Sequence, residues 1–213
     1  MRSLLNKIIF SIQALFLVLV MGGAQAQDVK AVASTPDGLV KFVVDDVMTT
    51  IKNDKAIQSG DLRKINALVD QKILPYSDFQ KTTRMSMGRN WSKASPAQQA
   101  QITQEFKVLL IRIYGGALAQ VKDQKVQYKP FRGSADDTDV VVRTAVVGKG
   151  EPIQLDYRLE KGATGWKVYD INILGAWLVE SYRNQFNDQV SKGGIEGLIK
   201  FLQDRNTALS TNK

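Results

Sequence analysis

The apolar pattern of this chain changes period near Gln124, and that change limits what it can fold into. Before Gln124, apolar residues recur every three or four positions; after it, they recur every two. The first spacing puts them on one face of a helix and the second on one face of a strand. A run of helices followed by a run of strands gives an α+β fold, with helices laid against an antiparallel sheet. The strongest helical signal starts at Ser95, a candidate N-cap, with Pro96 at the first helical position and Gln98 placed to close a capping box. Ile102, Phe106, Leu109, Leu110, Ile113 and Ala117 then form one apolar stripe on a helix running to about Val121.

Three shorter helices precede it. Thr35-Pro36-Asp37 is a start signal, and Leu39, Val40, Phe42, Val43, Val47 and Ile51 carry the first helix to about Asn53. Ser59-Gly60 separates it from a second helix over Asp61–Leu74, which Pro75 stops. The third covers Tyr76–Met87, with Phe79, Thr83 and Met87 on one face, and a turn containing Gly88 and Trp91 leads into the long helix.

Four strands are then predicted: Val126–Phe131, Thr138–Val147, Ile153–Glu160 and Trp166–Ile173. The second is apolar on both faces (Val140, Val142, Val146 against Val141, Ala145, Val147), as a covered interior strand requires. The third alternates Ile153, Leu155, Tyr157 and Leu159 with Gln154, Asp156, Arg158 and Glu160, one apolar face and one wet. Short connections make the four an antiparallel meander. Leu178, Tyr182 and Phe186 mark a further helix to about Ser191. Gly193-Gly194 breaks it, Ile195, Leu198, Ile199 and Leu202 form a last helix, and 207–213 reads as a frayed polar tail. The reading is therefore one domain over 27–206: helical over 35–122, sheet over 126–173 and C-terminal helices over 175–206.

The first 26 residues read as a leader. Arg2 and Lys7 precede an apolar run over Ile8–Met21, and Ala24-Gln25-Ala26 suits a signal peptidase, so cleavage is expected after Ala26. The run is shorter than the roughly 20 apolar residues of a span. The mature chain would carry 187 residues and, without Arg2 and Lys7, a net charge of +6 instead of +8. An exported basic protein meets anionic headgroups more readily than nucleic acid, unless the charge serves solubility alone. With no cysteine it has no disulfides and no lipidated N-terminal Cys, and the bacterial periplasm is the expected compartment.

Several chemistries are disfavoured. No histidine and no cysteine are present, so the commonest general base, zinc ligand and thiolate nucleophile are missing. Neither G-x-S-x-G nor a glycine-rich phosphate loop occurs. Asp136-Asp137-Thr138-Asp139 lacks the calcium-loop pattern and reads as a solvated turn. No catalytic residue, no metal and no cofactor is therefore expected. What remains is the apolar space between the long helix and the sheet, either filled by side chains or open to a ligand. Trp91, Tyr114, Tyr157, Trp166, Tyr169, Trp177 and Tyr182 near element ends suit a pocket mouth, and Gly115, Gly116 and Ala117 leave room where bulky residues would fill it.

Several motifs carry a resemblance. Leu74-Pro75-Tyr76-x-Asp78-Phe79, Gly88-Arg89-Asn90-Trp91, Ala94-Ser95-Pro96-x-Gln98-Gln99 and Phe106-x3-Leu110-x3-Tyr114 follow one another in the first half. In the second half stand Val142-Arg143-Thr144, Pro152-Ile153, Asp156-Tyr157-Arg158-Leu159, Gly165-Trp166-Lys167-Val168-Tyr169-Asp170 and Ser181-Tyr182-Arg183-x-Gln185-Phe186. In order and spacing the chain resembles the MlaC family, periplasmic phospholipid-binding proteins of the Mla lipid-transport system, also called toluene-tolerance auxiliary proteins. The resemblance implies a curved, NTF2-like antiparallel sheet wrapped by helices and a deep apolar pocket for the acyl chains, with the headgroup left at the surface and the lipid as cargo. It also implies two docking partners, an inner-membrane ABC transporter with an MCE-domain subunit and an outer-membrane lipoprotein–porin complex. The protein would shuttle lipid between them and maintain outer-membrane asymmetry. Nucleic acid is not expected as a partner, and a monomer is.

On that basis the lipid-contacting candidates are Leu110, Tyr114, Leu118, Val142, Tyr157, Val168, Ile171, Leu174 and Leu178, each equally suited to a filled core. Arg89, Arg143 and Arg183 are candidates for a headgroup or a partner, or for structural ion pairs. One departure stands out. Gly175-Ala176-Trp177-Leu178 has tryptophan where the family pattern has a small residue, and its bulk would narrow the mouth, stack on a ligand or face water.

Overall fold

The structure is a computed structural model and describes residues 34–211. The predicted leader and its cleavage site lie outside the described residues. Helix α1 spans Pro36–Asn53, capped by Thr35, whose side chain accepts from the Gly38 amide. Asp54 caps a one-turn helix, α2 (Lys55–Gln58), and Asp61 caps α3 (Leu62–Leu68), which continues as a π-helical turn over Val69–Ile73. Leu74–Tyr76 is 3₁₀, so the third predicted helix starts later than Tyr76, as α4 (Phe79–Met87) behind an Asp78 cap. A 3₁₀ segment, Gly88–Lys93, leads to α5 (Pro96–Ala119), where both halves of the Ser95–Gln98 capping box form.

The sheet has five strands in the order β1-β2-β3-β4-β5, all antiparallel: β1 Lys125–Tyr128, β2 Asp139–Val147, β3 Ile153–Gly162, β4 Gly165–Ile173 and β5 Ala176–Trp177. This corrects the four-stranded reading. A two-residue strand has too little pattern to register in a sequence, and the turn that makes it, Leu174-Gly175, has φ of 54° and 93°. Positive φ at both central residues is the type I′ geometry of a tight hairpin, which leucine adopts only under strain. β1 is shorter than predicted and stops before Pro130, which has no amide to donate.

Helix α6 runs over Leu178–Thr211 and is kinked at Gly193 and Gly194, the predicted break; Gly194 has φ 67° and ψ −163°. Residues 207–211 are helical, where the sequence suggests a frayed tail. Asn206 donates its side-chain amide to the Glu105 carbonyl and carboxylate, and Leu209 packs on the core.

The apolar interior divides into three clusters instead of one. Met87, Ile102, Phe106, Leu109, Leu178, Tyr182, Phe186, Leu198 and Leu202 join α4, α5 and both limbs of α6. Leu39 and Val40 of α1 pack with Val140, Val142, Leu159 and Trp166 of the sheet. Val47, Ile51, Ile57, Ile65, Leu68 and Ile111 bind α1, α2, α3 and α5 together. A compact domain usually shows one contiguous core.

Candidate functional site

The sheet register brings several predicted residues into one row. Val142 lies opposite Tyr157, and Tyr157 opposite Ile171, so the three sit side by side across β2, β3 and β4, strands roughly 4.8 Å apart. A bulge in β4 leaves Tyr169 without a partner, because Arg158 pairs with Asp170 and Leu159 with Val168. The extra residue turns Val168 and Ile171 to the same face. Val168 then packs on the α1 cluster and Ile171 on the α5–α6 cluster.

Leu110, Tyr114 and Leu118 lie in a line along α5, each half-buried; the first two pack on the α5–α6 cluster and Leu118 on the α1–α3 cluster. The close helix–sheet contacts are α1 on β2 and α4 and α6 on β4, whereas α5 packs on α2–α4 and α6. At β3, Leu159 is buried in the cluster with Leu39 and Val40 of α1, and Tyr157 packs on the same cluster. Burial pushes the Tyr157 phenol up to about 12, and the residue is half-buried.

A cavity of about 310 Å³ opens between α5 and the two limbs of α6, lined by Leu109, Ile113, Tyr114, Ser181, Tyr182, Gln185, Phe201 and Arg205. Leu109, Ile113 and Phe201 supply its apolar surface. Burial pushes the Tyr182 phenol up to about 12; the nearby Tyr114 phenol adds to the rise and the Arg205 guanidinium works against it.

Of the remaining candidates, Leu178 is buried in the α5–α6 cluster, Leu118 packs on the α1–α3 cluster, and Leu174 stands 69% exposed at the β4–β5 turn. Arg89, Arg143 and Arg183 are exposed and none lines the cavity; Arg183 donates to the Met85 carbonyl. Arg143 shares its face with Asp156, opposite the Val142–Tyr157–Ile171 row. The supposed wet face of β3 is partly covered: Asp156 and Asp170 are buried there, beneath the Arg158–Trp177 stack and the start of α6. Trp177 therefore packs on Arg158. Gly115 does not make room for a ligand either: a Cβ on it would meet Ile65 Cγ2 at 3.3 Å, so it lets α5 and α3 approach closely. Sequence reading missed Arg205. Its signal is the i, i+4 spacing from Phe201, which puts both on one helix face.

A family model described as MlaC protein matches residues 41–204. The chain belongs to the MlaC family. The intermembrane phospholipid transport system binding protein MlaC of Haemophilus influenzae is 24% identical over 178 residues, 81% of this chain and 83% of that protein. The toluene tolerance protein ttg2D of Pseudomonas putida is 23% identical over 163 residues, 76% of each. The phospholipid-binding protein of Ralstonia solanacearum, whose structure was solved in complex with a phospholipid, is 59% identical. It superposes with a TM-score of 0.79 over 80% of this chain and 96% of its own. The MlaC fold thus extends over the α1–α6 assembly and the sheet described above.

Proposed function

We propose that this MlaC-family protein is a periplasmic phospholipid carrier. It would shuttle lipid between an outer-membrane lipoprotein–porin complex and an inner-membrane ABC transporter with an MCE-domain subunit, and so maintain outer-membrane asymmetry. One observation carries the reading: a cavity of about 310 Å³, with apolar surface from Leu109, Ile113 and Phe201, opens between α5 and the two limbs of α6, beside the cluster on which Ile171 of the Val142–Tyr157–Ile171 row packs. The phospholipid complex of the Ralstonia relative supports it.

The energetics explain why an apolar cavity is needed. Each methylene moved from lipid to water costs about 0.8 kcal/mol, so a 16-carbon chain costs roughly 12 kcal/mol. Unassisted crossing of an aqueous gap is negligible, and a carrier must replace most of the lost apolar surroundings. It must not exceed them greatly, or it would never release the lipid. The open cavity of about 310 Å³ lies at the small end of the roughly 300–1,000 Å³ range of ligand sites. Two acyl chains therefore require α5 and the limbs of α6 to move apart. A partner that binds the opened form more tightly than the closed one drives loading or release by that difference in affinity.

The test is lipid exchange with membranes. Vesicles holding labelled phospholipid are incubated with the protein, which is then passed to proteoliposomes containing one or the other partner complex. Transfer that needs both the carrier and a complex supports the shuttle; transfer indifferent to the complexes removes the partner assignment.

A further inference from the structure

The rim of the α5–α6 cavity carries hydrogen-bonding groups that the fold does not use. Arg205 makes no ion pair and no hydrogen bond with another described residue, and the same holds for the hydroxyls of Tyr114 and Tyr182 and the side-chain amide of Gln185. The Tyr182 ring is 9% exposed while its hydroxyl keeps accessible surface at the cavity, and Arg205 and Gln185 beside it are exposed, so these groups are free to meet a ligand. Ser181 is different: its hydroxyl already donates to the Trp177 carbonyl.

No carboxylate lines this cavity. One side is apolar, from Leu109, Ile113 and Phe201, and the other gathers one cation and neutral donors. A ligand that matches both sides has an alkyl part and an anionic head rich in acceptors. Guanidinium forms a planar fork that suits phosphate oxygens, and phenol and amide donors complete the shell. We propose that Arg205, with Tyr114, Tyr182 and Gln185, holds the phosphate of the carried phospholipid at the cavity rim while an acyl chain follows Leu109, Ile113 and Phe201 inward. The inference rests on the carrier reading and adds to it a group that recognises the head.

The experiment compares two lipids with the same chains. The protein is incubated with vesicles containing equal amounts of dioleoylphosphatidylglycerol and dioleoylglycerol, which lacks phosphate, then separated and its lipid quantified by mass spectrometry. Wild-type protein is expected to be enriched in the phosphatidylglycerol. In Arg205→Gln that enrichment falls about tenfold, the scale of losing one charge-assisted contact, while diacylglycerol uptake is unchanged. Lys200→Gln removes the same charge from the same limb of α6, outside the cavity lining, and keeps the wild-type ratio. An unchanged ratio in Arg205→Gln, with both lipids carried, overturns the inference and leaves the carrier reading standing. Uptake of neither lipid by the wild type overturns both. Inorganic phosphate is titrated alone by calorimetry; binding of that ion, lost in Arg205→Gln and without lipid uptake, would make the site one for a free anion and likewise overturn the inference.

Discussion

The guanidinium of Arg158 lies 3.9 Å from the centre of the Trp177 ring and 3.2 Å from the Asp170 carboxylate. Asp170 in turn accepts from the Val179 amide at the start of α6, so the stack clasps the last helix to the sheet. Trp177 thus acts on the face opposite the Val142–Tyr157–Ile171 row.

Trp177→Ala should therefore weaken the fold without closing or opening the lipid site. Loss of the stacked cation–π contact costs about 1 kcal/mol, read as a lower denaturant midpoint. Lipid recovered per protein should match wild type. A marked drop in lipid with stability intact would put Trp177 at the cavity.

Leu110→Glu places a charge on α5 where Leu110 packs against the α4–α5–α6 cluster. An unpaired carboxylate there is costly to desolvate, so the variant should fold, with reduced stability, and carry no phospholipid. Arg63→Glu, on a side chain 93% exposed, is the comparison and should carry lipid normally. Full lipid occupancy in folded Leu110→Glu would remove Leu110 from the site.

How far the sequence discloses this arrangement depends on the element. The Ser95–Gln98 box and the strand alternation were readable because caps and periodicity are local, and alternation alone put Val142 and Tyr157 on inward faces. That they form a row with Ile171 depends on the register and on the bulge at Tyr169, which are properties of strand pairing. Asp156 looked solvent-facing by alternation and is buried, because coverage of that face comes from Trp177 and α6, elements later in the chain. Gly115 read as space for a ligand and is a close approach to Ile65, since only the packed helices show which neighbour a small residue admits. Arg205 lies beyond the Gly193–Gly194 kink, and nothing short of the α6 geometry brings it beside Tyr182.

Alkaline pH should destabilise the protein through its tyrosines. Tyr157 and Tyr182 are each raised, chiefly by burial, from 10.0 to about 12. The folded chain keeps protons there that the unfolded chain has lost, so the associated stability is complete below pH 10 and declines as pH rises towards 12. Denaturant midpoints across that window should fall, and Tyr157→Phe should flatten the slope. A midpoint independent of pH over the same window would show that these phenols titrate alike in both states.

The central claim is that the apolar space beside α5 and α6 carries phospholipid, and native mass spectrometry of the protein purified from periplasm without detergent tests it most directly. With lipid extraction alongside, the account predicts a mass increment matching phospholipid at near-stoichiometric occupancy, which also counts the acyl chains. A bare protein mass, persisting after incubation with phospholipid vesicles, would contradict it and mean that side chains fill the space.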